Sequence, residues 1–273
     1  IDSHQHFWIY DPKTMDWITD DMKVIQQDFT PEQLKNIFAA NQIEGSITIQ
    51  VEQTEEETYL LIEEAKQNDF IKGVVGWIDL NDSSIEEKLE EYSIYKKYLK
   101  GFRHIIEAEQ DEYMLAPSFI NGLQHLEKHG FTYDLLIKHH QLSSAIQLVE
   151  KVQTISIVLD HIGKPNIKNN NIQSWSTHLK TLAQFPNVYC KISGMVTEAN
   201  WLHWKEAEIF SFLDVVFDSF GLERIMYGSD WPVCLVASSY EKWLATIKKY
   251  VAQFSIEDQQ KIFADNCKRF YHI

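Results

Sequence analysis

Two histidines stand two residues apart near the start of the chain, in Asp2-Ser3-His4-Gln5-His6. In an extended strand, residues two apart point to the same side. Two imidazoles converging from one strand can hold a metal or an anion. Two exposed histidines at a ragged terminus would give the same spacing. A third histidine ends Ile157-Val158-Leu159-Asp160-His161, where an apolar run stops abruptly and Ile162-Gly163-Lys164-Pro165 turns the chain. Asp230 lies between Gly228-Ser229 and Trp231-Pro232. A carboxylate there can ligate a metal, take a proton from water or cap a helix. Arg103 and His104 close Gly101-Phe102-Arg103-His104, with Glu107 and Glu109 just beyond. Arg103 in an apolar run needs a partner or solvent, and its planar fork suits a carboxylate, on a substrate or on a neighbouring side chain. Asp134, in Tyr133-Asp134-Leu135-Leu136, needs a partner for the same reason, either Arg103 or a backbone amide, unless it joins the chemistry. Lys191, in Val188-Tyr189-Cys190-Lys191-Ile192, points into a mouth or snorkels outward.

These residues share a position in the pattern of the chain. Short apolar or β-branched runs recur at Asp2–Phe7, Gly45–Val51, Gly73–Ile78, Lys100–Ile105, Thr132–Ile137, Ser156–Asp160, Val188–Ile192 and Ile225–Gly228. Amphipathic helical patterns follow most of them, clearest after the first four and the last. Thr30-Pro31-Glu32-Gln33 reads as a helix start. His129-Gly130 reads as a helix end. Ser255 to Tyr271 reads as one more helix after the eighth repeat. Eight β-then-α units predict an α/β fold, a (β/α)8 TIM barrel formed by residues 1–273 as a single domain. No GxGxxG follows an early strand, which argues against an open nucleotide-binding sheet. Active sites of such barrels lie at the C-terminal ends of the strands. The ionisable residues above gather at the ends of strands one, four, five, six, seven and eight, so one shared mouth accounts for all of them.

The remaining composition excludes several function classes. Twenty-five basic residues face 40 acidic ones, for a net charge of −15. A surface so acidic repels phosphate backbones, so neither nucleic acid nor an anionic membrane is an expected partner. No apolar run reaches the ~18–20 residues of a membrane span. Cys190, Cys234 and Cys267 form no CxxC pair, which points away from a disulfide framework or a zinc ribbon and toward a reducing cytoplasm. No signal-peptide pattern opens the sequence. A homo-oligomer stays open.

The motifs DSHQHFW, GFRH, YDLL, LDHIGKP, YCKISG and GSDWP together resemble the amidohydrolase superfamily. The likeness is to its amidohydrolase-related branch (amidohydrolase 2), which includes sugar-lactone and pyrone-dicarboxylate lactone hydrolases. It runs from Asp2 to Tyr271. The resemblance implies that His4 and His6 are the first-strand pair, His161 the sixth-strand histidine and Asp230 the aspartate that accepts a proton from the attacking water. It implies that Arg103 and His104 hold substrate, with Lys191 beside them. Trp8 and Trp231 would form sugar-facing walls or plain packing. The superfamily's usual strand-four Lys or Glu and strand-five His are absent here, where Arg103, His104 and Asp134 stand. The expected cofactor is therefore no metal or one divalent metal, zinc first among them. Its ligands would be His4, His6 and Asp230, with Glu107 or His161 as further candidates. The expected activity is opening of a lactone ring on a small-molecule substrate, a sugar-derived aldonolactone. A metal-dependent decarboxylase of an aromatic or related carboxylate is the alternative.

Overall fold

The computed structural model describes residues 1–273. Eight parallel strands form one sheet in chain order: β1 (Asp2–Gln5), β2 (Ser46–Ile49), β3 (Ile71–Gly76), β4 (Leu99–Ile105), β5 (Thr132–Leu136), β6 (Ile157–Leu159), β7 (Val188–Ile192) and β8 (Ile225–Tyr227). The sheet curls into a nearly closed (β/α)8 barrel. At the seam between β8 and β1, Asp230 N–H donates to His4 O at 2.8 Å and His6 N–H donates to Trp231 O at 2.8 Å.

Helices α1 (Pro31–Asn41), α2 (Glu55–Gln67), α3 (Ile85–Tyr92), α4 (Pro117–Lys128), α5 (Leu142–Lys151), α6 (Gln173–Leu182), α7 (Glu206–Phe220) and α8 (Tyr240–Val251) alternate with the strands. Their starts follow from local chemistry. Thr30 caps α1 with Pro31 at the first helical position, and Gln33 Oε1 accepts from Thr30 N–H at 2.7 Å. Thr54 Oγ1 accepts from Glu57 N–H at the start of α2, whose first turn carries Glu55, Glu56 and Glu57. The Glu57 carboxylate also accepts from Val51 and Glu52 N–H, which pins the loop leaving β2.

Two apolar cores result from the alternation of each strand. One lies between sheet and helices. The smaller one joins Ile47, Ile49, Val75, Val158 and Met226 of the strands to Cys267, Phe270 and Tyr271 of the C-terminal segment, which plugs the barrel opposite its mouth. That segment differs from the expected single helix. A π-helical turn at Lys261–Asp265 separates α9 (Ile256–Gln260) from α10 (Asn266–Tyr271). The wider turn lets the Asn266 side chain donate to Leu222 O and Ile225 O, at 2.8 and 2.7 Å. No helix is long and apolar enough to cross a membrane.

Candidate active site

The alternation of β1 turns His4 toward the barrel axis, and His6 follows on the same side just past the strand end. Their Nε2 atoms approach to 3.2 Å. His6 Nδ1 lies 2.9 Å from Ile49 O, an atom that only accepts, so the ring proton is on Nδ1 and Nε2 offers a lone pair. His4 Nδ1 lies 3.3 Å from Asp160 Oδ1. Asp230 enters from the β8 side with φ +59°. Its Oδ1 stands 3.4 Å from His6 Nε2, 3.8 Å from His4 Nε2 and 3.9 Å from His161 Nε2. His161 arrives from β6, its Nδ1 2.9 Å from Ser193 Oγ at the end of β7.

The charge states follow from this packing. Burial alone would raise the Asp230 carboxyl, but His161, His6 and His4 around it outweigh that and hold it below the usual carboxylate range. Burial pushes His161 down to about 4. It pushes His4 well below its ordinary value as well, against the pull of Asp160. Near neutral pH the site therefore presents an ionised Asp230 beside the uncharged rings of His4 and His161.

Beneath this layer lies a buried ionic floor. Arg103 Nη1 donates to Asp160 Oδ2 at 3.2 Å, and Nη2 donates to Gln50 O and Oε1 at 2.5 and 2.9 Å. Lys191 points into the barrel but stops below the mouth, between Asp134 and Asp160 Oδ1, the latter at 3.0 Å. Asp134 also accepts from Tyr271 Oη at 2.8 Å. One ammonium thus serves two carboxylates. Burial raises Asp134 to about 6. Asp160 is buried too, yet Lys191, His4 and Arg103 hold it well below its ordinary value.

A cavity of about 390 Å³ opens above the floor, a size suited to a small molecule. His6, His161, Asp230 and Arg103 reach it, as do Trp8 and Glu107. His104, Lys191 and Trp231 do not. Because neighbours on a strand face opposite ways, Arg103 pointing inward sends His104 outward. There His104 stacks on Tyr113 at 4.8 Å and accepts from Trp77 Nε1. Trp231 packs edge-on against Phe7 and Phe29. Glu107 pairs with Lys164 at 2.7 Å, apart from the histidine cluster. Asp160, Lys164, Lys138 and Trp17 carried no site role in the sequence reading. Asp160 and Lys164 lie inside LDHIGKP, so a signal existed. Trp17 comes from the long loop after β1 and had none.

The donor set suits a divalent cation. Bonds of about 2.1 Å to a tetrahedral ion put its donor atoms about 3.4 Å apart. The His4, His6 and Asp230 atoms are spaced 3.2, 3.4 and 3.8 Å. His4, Asp160 and His161 form a second convergent group, but Asp160 already serves Arg103 and Lys191.

The chain is 34% identical to an L-fucono-1,5-lactonase of Burkholderia multivorans, over 99% of this chain and 95% of that protein. It is 24% identical to an L-rhamnono-gamma-lactonase of Scheffersomyces stipitis, over 64% of this chain and 59% of that one. A crystal structure of a Burkholderia multivorans amidohydrolase with bound zinc superposes with a TM-score of 0.96 at 33% identity, covering 100% of this chain and 98% of that one. The amidohydrolase pattern itself matches residues 1–273. With that match running from end to end of a barrel that carries the paired histidines and the aspartate past strand eight, the chain belongs to the amidohydrolase family.

Proposed function

We propose that this chain hydrolyses a sugar-derived lactone. The observation that carries the reading is Asp230, an ionised carboxylate beside the His4, His6 and His161 rings at the wall of a small-molecule cavity. The lactonase relatives give the substrate class. Asp230 takes a proton from water as the water oxygen attacks the lactone carbonyl carbon. With the Ser193 hydroxyl donating to His161 Nδ1, His161 Nε2–H donates to the oxyanion that forms. The tetrahedral centre then collapses and the ring C–O bond breaks. Asp230 returns its proton to the departing ring oxygen, and an open-chain hydroxy acid leaves.

His4, His6 and Asp230 would hold one divalent ion, zinc first. When bound there, it supplies Lewis-acid polarisation of the carbonyl. Ile49 O fixes the His6 tautomer for this purpose and Asp160 steadies the His4 ring. Arg103 borders the cavity, but Asp160 and Gln50 already take up most of its donors. The decarboxylase alternative gains no support, because Asp134, at the strand-five position, is tied to Lys191 and Tyr271 within the floor. The three cysteines stay free and buried, which fits a reducing cytoplasm.

The test is acid release from a panel of aldonic 1,4- and 1,5-lactones, read with a pH indicator. It is run on the purified protein, after chelation and after zinc is restored. Activity lost to the chelator and regained with zinc supports both the lactonase and its metal. Activity that survives chelation keeps the lactonase and removes the metal requirement. No acid release from any lactone overturns the reading.

A further inference from the structure

Four successive residues, His161, Ile162, Gly163 and Lys164, have positive φ, at 54°, 51°, 73° and 45°. They make one left-handed turn, closed by Lys164 N–H donating to His161 O at 2.9 Å. With three residues per turn, His161 and Lys164 come to the same side. An L-residue in this region costs roughly 1–2 kcal/mol, so the surroundings must hold the turn. Trp175 Nε1 donates to Ile162 O at 2.8 Å, and His139 Nδ1 lies 3.0 Å from Lys164 O. The strained turn brings two side chains to the cavity. His161 serves the chemistry proposed above. Lys164 has no part in it.

The Lys164 ammonium contacts both Glu107 oxygens, at 2.8 and 2.7 Å. Burial would lower Lys164, but Glu107 and Glu198 outweigh it and keep the ammonium charged. Lys138 and Glu198 complete the local field. The Lys164 and Glu107 charges cancel at this end of the cavity. The segments after β1 and β2, opposite β5 and β6 in the barrel order, contribute the largely apolar Trp8, Trp17 and Val51 to the cavity. One wall therefore offers donors and acceptors side by side, and the opposite wall offers carbon surface. A sugar hydroxyl both donates and accepts, and a sugar ring has C–H faces that pack on indole.

Resting on the lactonase reading, we infer that the Lys164–Glu107 pair is the specificity element of the site. It binds adjacent hydroxyls of an uncharged polyhydroxy lactone and selects against lactones that carry a carboxylate. Lys164 donates to one hydroxyl oxygen and Glu107 accepts from the next. A substrate carboxylate would find Lys164 already neutralised, with Glu107 and Glu198 repelling it.

The test compares the unaltered chain with Lys164→Met, Glu107→Gln and the double variant. The double variant removes one charge of each sign, and melting temperatures check that each folds. On aldonolactones, Lys164→Met and the double variant are expected to raise KM by roughly 10–100-fold, the worth of a charged hydrogen bond. The kcat should change little, as for uniform binding. Lys164→Arg should recover part of the loss. On δ-valerolactone, which has no hydroxyls, KM should be the same in all variants. Glu107→Gln should improve turnover of a carboxylated lactone. An unchanged KM for aldonolactones in the folded double variant overturns the inference, and so does an equal rise for δ-valerolactone. A chain that hydrolyses no lactone at all overturns the lactonase reading and this inference with it.

Discussion

Asp230 matters through its charge at neutral pH. Three imidazoles hold it ionised although it is buried, and a carboxylate in that state can take a proton from water. Asp230→Asn keeps shape and volume but abolishes the base. Turnover of aldonolactones should fall about 10²–10⁴-fold, with the melting temperature nearly unchanged. A variant with near-normal rates would remove the water-activating role. His4, His6, His161 and Asp230 were legible as a set because each stands at or beyond a strand end, where alternation brings it to the mouth. Alternation fixes which way a side chain faces, not its depth. Lys191 and Asp134 do face inward, yet they lie one layer below the cavity, where they neutralise each other. Asp134, in register with Arg103, had Arg103 or a backbone amide as its expected structural partner, but Lys191 and Tyr271 hold it, and Arg103 bonds Asp160 two strands away. Its long side chain crosses the barrel interior, a path that a sequence pattern does not encode.

The elements that aim these residues are two turns with left-handed backbone. Glycine at two positions separates the cost of the turn from the cost to the site. A Cβ on Gly163, at φ +73°, would meet only Leu142 and Leu159 methyls, at 3.5 Å. A Cβ on Gly194, at φ +61°, would lie 2.4 Å from His161 Nδ1. Both Gly163→Ala and Gly194→Ala should lose about 1–2 kcal/mol of stability through φ alone. Gly194→Ala should also lose kcat/KM, by tenfold or more on the scale of a misplaced catalytic group, because the His161 ring must move out of the Ser193 hydrogen bond. Gly163→Ala should keep kcat/KM close to that of the unaltered chain. Equal kinetic effects in the two variants would deny that Gly194 sets the His161 ring. Strands were readable at this scale to within about two residues, since their apolar runs end in turn residues. The left-handed turn was not readable. Ile162 is β-branched, and no local preference places such a residue at φ +51°. The contacts from Trp175 and His139 that hold it come from elsewhere in the chain.

Closure is a property of the whole barrel, and one buried carboxyl braces the seam beside its backbone hydrogen bonds. Asp2 accepts from Ser229 N–H at 2.8 Å, His4 N–H at 3.2 Å and Tyr240 Oη at 3.2 Å, so it ties β1 to the β8 loop and to α8. The barrel was legible as eight repeats, but its seam was not, because the residues that join it lie more than 200 positions apart. Asp2→Ala strands three donors. The cost should be on the order of 3 kcal/mol. At about 2–4 °C per kcal/mol, the melting temperature should drop by about 6–12 °C. The same seam orients Asp230 through its N–H to His4 O, so zinc affinity should weaken in parallel. The pH dependence of the loss tests the physical cause. Burial pushes Asp2 up to about 6, from an ordinary value near 3.8. The folded chain therefore keeps this proton between about pH 4 and 6 while the unfolded chain releases it. Asp2 then stabilises most at low pH, and its contribution shrinks as pH rises through that window. The melting-temperature gap between the unaltered chain and Asp2→Ala should narrow from pH 4 to pH 7. A gap that widens over that range would mean that the carboxyl is ionised in the fold and that its three donors outweigh its burial.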